Sequence, residues 1–439
     1  MTKIAFHTLG CKLNFSETST IARDFKEQGY DITDFGEVAD IYVIHTCSVT
    51  SVAEKKCRSA IQQAIRRNPD SKIAVIGCYA QLRPENLQEI EGVNLILGNA
   101  EKFDLRQYIE SNTPSELDLV NNKYQACHIH TSDIQKDKKF APSYSSGDRT
   151  RTFLKIQDGC NYYCTYCTIP HARGHSRSAG IADTIALASK AAMGDAREFI
   201  LTGVNIGDYG HGTNENFFDL LTQLVKVKGM ERIRISSIEP ELLDDDIINM
   251  VASNEKLMPH FHIPLQSGSD TILNLMKRKY VREVFYNRVE KIKKLMPHAC
   301  IAADVIVGFP GETDELFQET FTFLEQLDIS YLHVFSYSER PGTIAENLPN
   351  KVSSQKKQIR SKILHSLSGQ KMKTFYAQNE SRIVNVLFES DRIKGFMHGF
   401  SENYIKVKTA FNPEYINKIV TLRLENPDSD GIFEYKPSS

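Results

Sequence analysis

The sequence predicts an α/β protein in three modules: an N-terminal open parallel α/β domain, a central partial (βα)6 barrel and a small C-terminal antiparallel β-barrel. Three observations predict it. Short β-branched runs alternate with helical spacing over residues 1–112, the alternation returns six times within residues 146–373, and period-two patterning between Gly, Asn and Pro turns fills residues 374–439. Between the first two modules, residues 113–145 are polar and weakly periodic, and read as a linker with a short strand at "QACHIH".

A chain of 439 residues, 41% hydrophobic, is too long for one core and too apolar for disorder. It contains no run of 18 apolar residues, and the ten residues before Cys11 form no continuous apolar stretch, so neither a membrane span nor a signal peptide is expected. The expected location is cytoplasmic, with no membrane partner. Nine cysteines, an odd number, favour metal-ligating thiols in a reducing compartment over a disulfide framework. A net charge of -2 argues against a globally basic nucleic-acid binder, and no DNA partner is expected.

In the first module, "KIAFHTLGC", "DIYVIHTC" and "KIAVIGC" each end an apolar run in a cysteine, and segments such as "SETSTIARDFKEQG" and "SVAEKKCRSAIQQAI" follow with helical spacing. Ligands of an open parallel sheet sit at the carboxyl ends of its strands. Cys11, Cys47 and Cys78 are therefore expected to become neighbours. The second module supplies six strands, "RTFLKIQDGC", "EFILTGVN", "RIRISSIEP", "HFHIPLQSG", "IAADVIVGFPGE" and "YLHVFSYSE", with helical spacing between them, including "ELLDDDIINMVA" continuing into "SNEKLMPH". Six units are fewer than the eight of a closed barrel, and the polar or glycine-rich strand ends mark the carboxyl rim as the active face. A basic helix, with seven Lys or Arg and no acid over residues 349–373, is expected to leave the barrel, and "SRIVNVLFES", "NYIKVKT" and "KIVTLRL" make the last module.

The stretch "DGCNYYCTYCTIPHAR" places Cys160, Cys164 and Cys167 in one loop at the end of the first barrel strand. A structural zinc site closes its tetrahedron with four protein ligands, usually as two separated C-x2-C pairs. Three thiolates leave one position open, which suits a 4Fe-4S cluster with one iron able to bind something else. In this setting C-x3-C-x2-C resembles the radical S-adenosylmethionine (SAM) enzymes. The resemblance implies that the open iron chelates the methionine moiety of SAM and that reductive cleavage yields a 5′-deoxyadenosyl radical. "TLGCKLN", "HTCSVT" and "GCYAQ" ahead of such a barrel resemble the N-terminal domain of the methylthiotransferases, and the likeness extends over essentially the whole chain. It implies a second 4Fe-4S cluster on Cys11, Cys47 and Cys78, and a C-terminal TRAM barrel.

Within that family, Tyr166 occupies the place of a residue beside the adenine. "TGVN" offers Gly203 and Asn205 where many members carry a Gly-Glu pair for the methionine amino group, so the absent acid leaves that contact open. Glu239 and Gln266 stand on the rim as candidate ribose or carboxylate partners, Val307, Gly308 and Phe309 would flank the base, and Arg173 or Arg177 would meet a carboxylate. His45, His171 and His175 read as polar fillers, and Cys57, Cys127 and Cys300 as structural filling.

"TLGCK-N", "TGVNIGDYG" and "FSYSERPGT" most resemble the branch that modifies carbon 2 of N6-threonylcarbamoyladenosine at tRNA position 37. The alternatives are the isopentenyladenosine-37 branch, a ribosomal-protein substrate, and, from another class, a non-catalytic RNA-binding protein with structural metal. The resemblance also implies an external electron donor such as flavodoxin or ferredoxin, and a sulfur donor. For RNA, "KRKYVREVFYNRVEKIKK" carries eight basic and two acidic residues. Tyr404, Lys406 and Lys408 are expected on one face of a strand suited to stacking bases, although residues 376–439 hold eight Lys or Arg against nine Asp or Glu.

Overall fold

The apolar runs of the first module become strands of one parallel sheet because helices cover both of its faces. The computed structural model describes residues 1–48, 50–111, 127–146, 150–425, 427–428 and 431–436. The chain divides into one unit of Met1–Ser145, Gln157–Tyr163 and Cys167–Arg177, and another of Ser146–Ile156, Cys164–Tyr166 and Ser178–Ser439.

In the first unit, β1 (Lys3–Thr8), β2 (Asp31–Thr33), β3 (Ile41–Thr46), β4 (Lys72–Gly77), β5 (Leu95–Leu97) and β6 (His128–His130) lie in the order β2-β1-β3-β4-β5-β6, every pair parallel. β3 is buried at all its positions, which is why "IYVIHT" shows no alternation. One face packs Ile4, Val43 and Ile76 against Phe25 of α1 (Lys12–Glu27). The other packs Tyr42, Ile44 and Val75 against Ile61 of α2 (Ser51–Arg67). Each such side chain contributes about 1.5–3 kcal/mol on burial. α3 (Cys78–Leu82) follows β4 directly, and α4 (Ile169–Arg173) belongs to the same unit. The strand order reverses direction between β1 and β3, the switch point where such sheets bind ligands.

The expected linker is corrected in part. Residues 113–126 fall outside the described residues, but β6 extends the sheet, and Ser143 and Tyr144 dock on α1 through Ser16 Oγ at 3.0 Å and Arg23 Nη2 at 2.8 Å. Buried partners, rather than periodicity, order this polar stretch.

The second unit contains six parallel strands: β7 (Arg151–Lys155), β8 (Glu198–Thr202), β9 (Arg232–Ile235), β10 (His260–Gln266), β11 (Cys300–Val307) and β12 (Tyr331–Ser336). They pair in chain order as two triplets, and a parallel bridge between Ser237 and His262 links β9 to β10. α5 (Ile181–Ala192), α6 (Phe217–Leu224), α7 (Asp245–Ser253), α8 (Arg282–Leu295), α9 (Asp314–Gln326) and α10 (Ser354–Gln378) cover the outside. This is the predicted partial (βα)6 barrel. α7 stops at Ser253 rather than running into "SNEKLMPH": Asn254 is extended at φ -122° and its Oδ1 accepts the Lys256 N–H at 3.0 Å.

The basic helix does not leave the barrel but closes it. Arg360 of α10 is buried against Glu312 and Asp314, Lys371 donates to the Leu327 carbonyl, and Ser368 bonds to the backbone of Leu332. β13 (Ile383–Phe388), β14 (Phe396–Ser401), β15 (Lys406–Ala410), β16 (Ile419–Arg423) and β17 (Phe433–Glu434) form a curled sheet of order β16-β13-β14-β15-β17, antiparallel except for its last pair. Val384, Val386, Met397, Val407 and Phe433 fill it. Tyr404 departs from its expected place on a strand. It turns at φ +67° beneath the barrel, its ring 4.5 Å from His260 and 4.9 Å from the Arg234 guanidinium, while Lys408 is paired with Asp428. No helix among the described residues is long and apolar enough to cross a membrane.

Candidate active site

Cys11 follows β1 and caps α1, Cys47 follows β3, and Cys78 opens α3 immediately after β4. The three thiols thus come from the carboxyl ends of three adjacent strands at the switch point. None is in a disulfide; Cys11 is exposed, whereas Cys47 and Cys78 are buried. Gly10 holds φ +104°, and a Cβ there would stand 2.8 Å from Cys47 Cβ and 3.1 Å from its Sγ, so the turn before Cys11 runs directly against Cys47. Gly77 likewise holds φ +100°, with space for a Cβ taken by His45 Cδ2 at 2.6 Å. Cys11 and Cys78 lie within electrostatic reach of each other. Asn99 Nδ2 donates to Cys78 Sγ at 3.5 Å, and the Cys11 thiol donates to Asn14 Oδ1 at 3.7 Å. Three soft donors with one side exposed fit an iron–sulfur cluster that keeps one iron open.

α1 turns a polar stripe toward these cysteines. Asn14, Glu17 and Thr18, three and four residues apart, share one buried face. Asn14 Nδ2 donates to the Leu9 and Thr46 carbonyls at 2.8 and 3.2 Å, tying the ends of β1 and β3 together. Glu17 accepts from Lys102 Nζ at 2.6 Å and from Arg173 at 3.1 Å, and Thr18 pairs with His45 Nδ1 at 2.8 Å. Arg173 also donates to Asp158 at 2.9 Å and to Asn14 Oδ1 at 2.7 Å. Its side chain is 2% exposed, so the expectation that it meets a SAM carboxylate is corrected: Glu17, Asp158 and Asn14 take up its guanidinium. Arg177 is similarly engaged, donating to the Arg173 and Lys139 carbonyls. His45 is a fully buried filler, and His175 bonds Asn161 at 3.0 Å.

In the "DGCNYYCTYC" loop the first unit holds Cys160 and Cys167, whose sulfurs each accept a backbone N–H at 3.4 Å, from Tyr162 and Ile169 respectively. Gly159 is needed at φ +71° because a Cβ would strike the His175 carbonyl oxygen at 1.9 Å. In the second unit Cys164 is buried, and Arg278 Nη1 donates to its sulfur at 3.2 Å. Burial pushes this thiol up, and Arg278 pulls it back. The other arm of Arg278 donates to Glu239. Burial raises the Glu239 carboxyl to about 7 against the pull of Arg278, with Glu241 adding to the rise. N–H donors aimed at each sulfur suit thiolate ligands of a cluster.

Tyr166 is half-buried and meets Phe309 edge-on at 6.3 Å. Val307 and Phe309, expected to flank the base, are fully buried at that strand end. Gly308 sits at φ +76° with Lys357 Cγ 2.3 Å from where a Cβ would be, and its N–H donates to Glu312 at 2.8 Å. Gln266 takes φ +64° beside a bulge in β10, and Asn205 is buried just after Gly203. Cys57 and Cys127 are pushed up to about 11 and Cys300 to about 12, each by burial, as packing thiols are. Sequence reasoning missed Arg278, hidden inside a run of positive charge, and Glu17, whose signal was its helical spacing from Asn14. It also missed the grouping of His262, Asp304 and His333.

Residues 3–98 match the family described as Uncharacterized protein family UPF0004, and residues 154–324 match the Radical SAM superfamily. The chain is 40% identical to "Threonylcarbamoyladenosine tRNA methylthiotransferase MtaB" of Bacillus subtilis over 97% of its own length and 94% of the relative's. It is 32% identical to "tRNA-2-methylthio-N(6)-dimethylallyladenosine synthase" of Wolinella succinogenes, covering 96% of each. Among solved structures, the radical SAM methyltransferase TsrM of Kitasatospora setae shares the fold with a TM-score of 0.56 at 12% identity, covering 79% of this chain and 77% of that one. With thiol sets at the ends of β1, β3 and β4 and in the C-x3-C-x2-C loop, and relatives matched end to end, the chain belongs to the radical SAM methylthiotransferase family.

Proposed function

We propose that this protein transfers a methylthio group to carbon 2 of N6-threonylcarbamoyladenosine at position 37 of tRNA. The observation that carries the reading is the gathering of Cys11, Cys47 and Cys78 at the switch point of a domain attached to a radical SAM barrel. On this reading Cys160, Cys164 and Cys167 hold the 4Fe-4S cluster that the family uses with SAM, and the N-terminal trio holds a second. Bound there, the two clusters and SAM supply a methylthio group and a radical able to take hydrogen from an inert ring carbon. The chain's own residues hold these groups in place. Arg278 fixes the Cys164 side of the loop, Glu239 and Gln266 present polar groups on the rim, and Asn14 with Arg173 braces the N-terminal trio. Relatives named for the threonylcarbamoyl substrate lie at 31–40% identity, four of them at 34–40%, and support that branch over dimethylallyl-named ones at 29–33%. A flavodoxin or ferredoxin would deliver electrons, and a separate donor the sulfur.

The test incubates anaerobically reconstituted protein with SAM, a reductant, sulfide and tRNA bearing threonylcarbamoyladenosine without the 2-methylthio group. Nucleoside mass spectrometry is expected to show the methylthio mass gain on that nucleoside. Parallel incubations supply tRNA bearing dimethylallyladenosine and, separately, a ribosomal protein, and a mass gain on either of these without one on threonylcarbamoyladenosine overturns the branch. Zinc without sulfide, in place of roughly eight irons per chain, overturns the two-cluster reading.

A further inference from the structure

The inner face of the barrel's second half carries a cluster that neither set of cysteines uses. His333 of β12 is paired in register with Asp304 of β11, and its ring stands 5.0 Å from that of His262, so the side chains of all three share one face of the sheet. Register sets Asp304 beside both His333 and Pro264, and His262 lies two residues from Pro264 on the same face. The His262 Nε2–H donates to Asp304 Oδ1 at 2.7 Å, the two imidazole rings are 5.0 Å apart, and one polar atom from each of the three residues falls within 4.8 Å of the others. His262 and Asp304 are half-buried, His333 is exposed, and Phe335 beyond it on the same face is 48% exposed. Below, Tyr404 closes the barrel against His260. The cluster thus opens toward the rim, and the four residues from His262 to Gln266 put it roughly 13 Å deep.

We propose that His262, Asp304 and His333 form the pocket for the polar N6 substituent of the target adenosine, a ureido-linked amino acid with a carboxylate and a hydroxyl, and set the preference for it over a hydrocarbon substituent. This rests on the threonylcarbamoyl reading. C2 and C6 of adenine flank the same ring nitrogen, so a base held for reaction at C2 carries its N6 substituent into the same cavity. The His333 imidazole offers an N–H to the carboxylate or the ureido carbonyl, while Asp304, held in place by the His262 Nε2–H, has lone pairs left to accept from the ureido N–H or the hydroxyl. Phe335 supplies an apolar surface for the purine. A dimethylallyl group would desolvate the three polar side chains and give them nothing in return. Sites built to hydrogen-bond a substrate reject an analogue lacking those groups strongly. Two histidines and a carboxylate also suit a divalent cation, but His262 already satisfies Asp304 without one.

The test measures kcat/KM and affinity of the reconstituted full chain for anticodon stem-loop RNAs carrying either N6-threonylcarbamoyladenosine or N6-dimethylallyladenosine at position 37. His333→Phe is expected to reduce the preference for the threonylcarbamoyl RNA by about 10- to 100-fold, whereas His333→Gln, which keeps an N–H donor, restores most of it. A wild-type preference that survives His333→Phe overturns the pocket alone. Wild-type enzyme that modifies only the dimethylallyl RNA overturns the substrate reading and the pocket with it. A stoichiometric divalent ion outside the clusters, lost in Asp304→Asn, overturns the pocket in favour of a metal site.

Discussion

At the scale of single residues, the N-terminal trio depends on positions where a methyl group does not fit. Gly10→Ala combines a left-handed backbone with a Cβ 2.8 Å from Cys47 Cβ, and the atom it meets is the root of a ligand side chain rather than a flexible tip. It is expected to cut iron and sulfide from the two-cluster level to about half, while Cys160, Cys164 and Cys167 retain theirs; iron and sulfide assays check this. Cys164→Ala has the converse signature: deoxyadenosine production is expected to vanish while about half of the iron remains. Arg173→Leu leaves the buried Glu17 with Lys102 and the buried Asp158 with Arg177 at 3.6 Å, and removal of one partner from such a group costs about 3–5 kcal/mol. The denaturant midpoint of the first unit measures that loss. These residues differ in how far the sequence disclosed them. The cysteines were legible because each ends an apolar run. Arg173 was visible but misassigned, since "ARGHSRS" does not reveal that Glu17, 156 positions away, waits for its guanidinium.

At the scale of elements, strands covered by helices announce themselves as apolar runs, which is why β3 and β4 were legible, and β11 too although Asp304 interrupts it, and their chain order with them. Charge runs conceal their structure, because a cation on a helix looks alike whether it meets water, phosphate or a distant acid. In "KRKYVREVFYNRVEKIKK", Arg278, Arg282, Arg288 and Lys293 turn to Glu239, Glu319, Asp245 and Asp328, so much of the expected phosphate surface is spent within the fold. The first strands of the barrel hold the same lesson in a buried form. Glu198 of β8 lies between Arg234 and Arg232 of β9; burial would raise its carboxyl, but Arg234, Arg151 and Arg232 prevail and hold it down to about 2. A depressed carboxyl stabilises the fold fully above its unfolded value near 4.5 and loses that contribution as pH falls toward 2. Glu198→Gln is therefore expected to cost about 3–5 kcal/mol at neutral pH. Its deficit against wild type, read from urea midpoints, should shrink as pH falls from about 5 to about 2.

At the scale of the second unit, the C-terminal β-domain closes the end of the barrel opposite the rim. Arg151 at the start of β7 pairs with Glu389 at 2.7 Å and lies 4.9 Å over the Phe400 ring. Arg232 and Arg234 donate to the carbonyls of Phe400 and Glu402 at 3.3 and 3.1 Å, and Asn403 donates to the His298 carbonyl at 2.8 Å. The strand starts thus carry cations whose charge is compensated from a domain far along the chain. This arrangement assigns Tyr404 a role in stability rather than in stacking RNA bases. Tyr404→Ala removes a ring packed against Phe400, His260 and Arg234. It is expected to destabilise the second unit by about 2–4 kcal/mol, seen as a lower thermal midpoint, while binding of tRNA below that midpoint stays within about twofold of wild type. Loss of tRNA affinity at unchanged stability would return Tyr404 to the nucleic-acid surface and show that the floor is held by the backbone contacts alone.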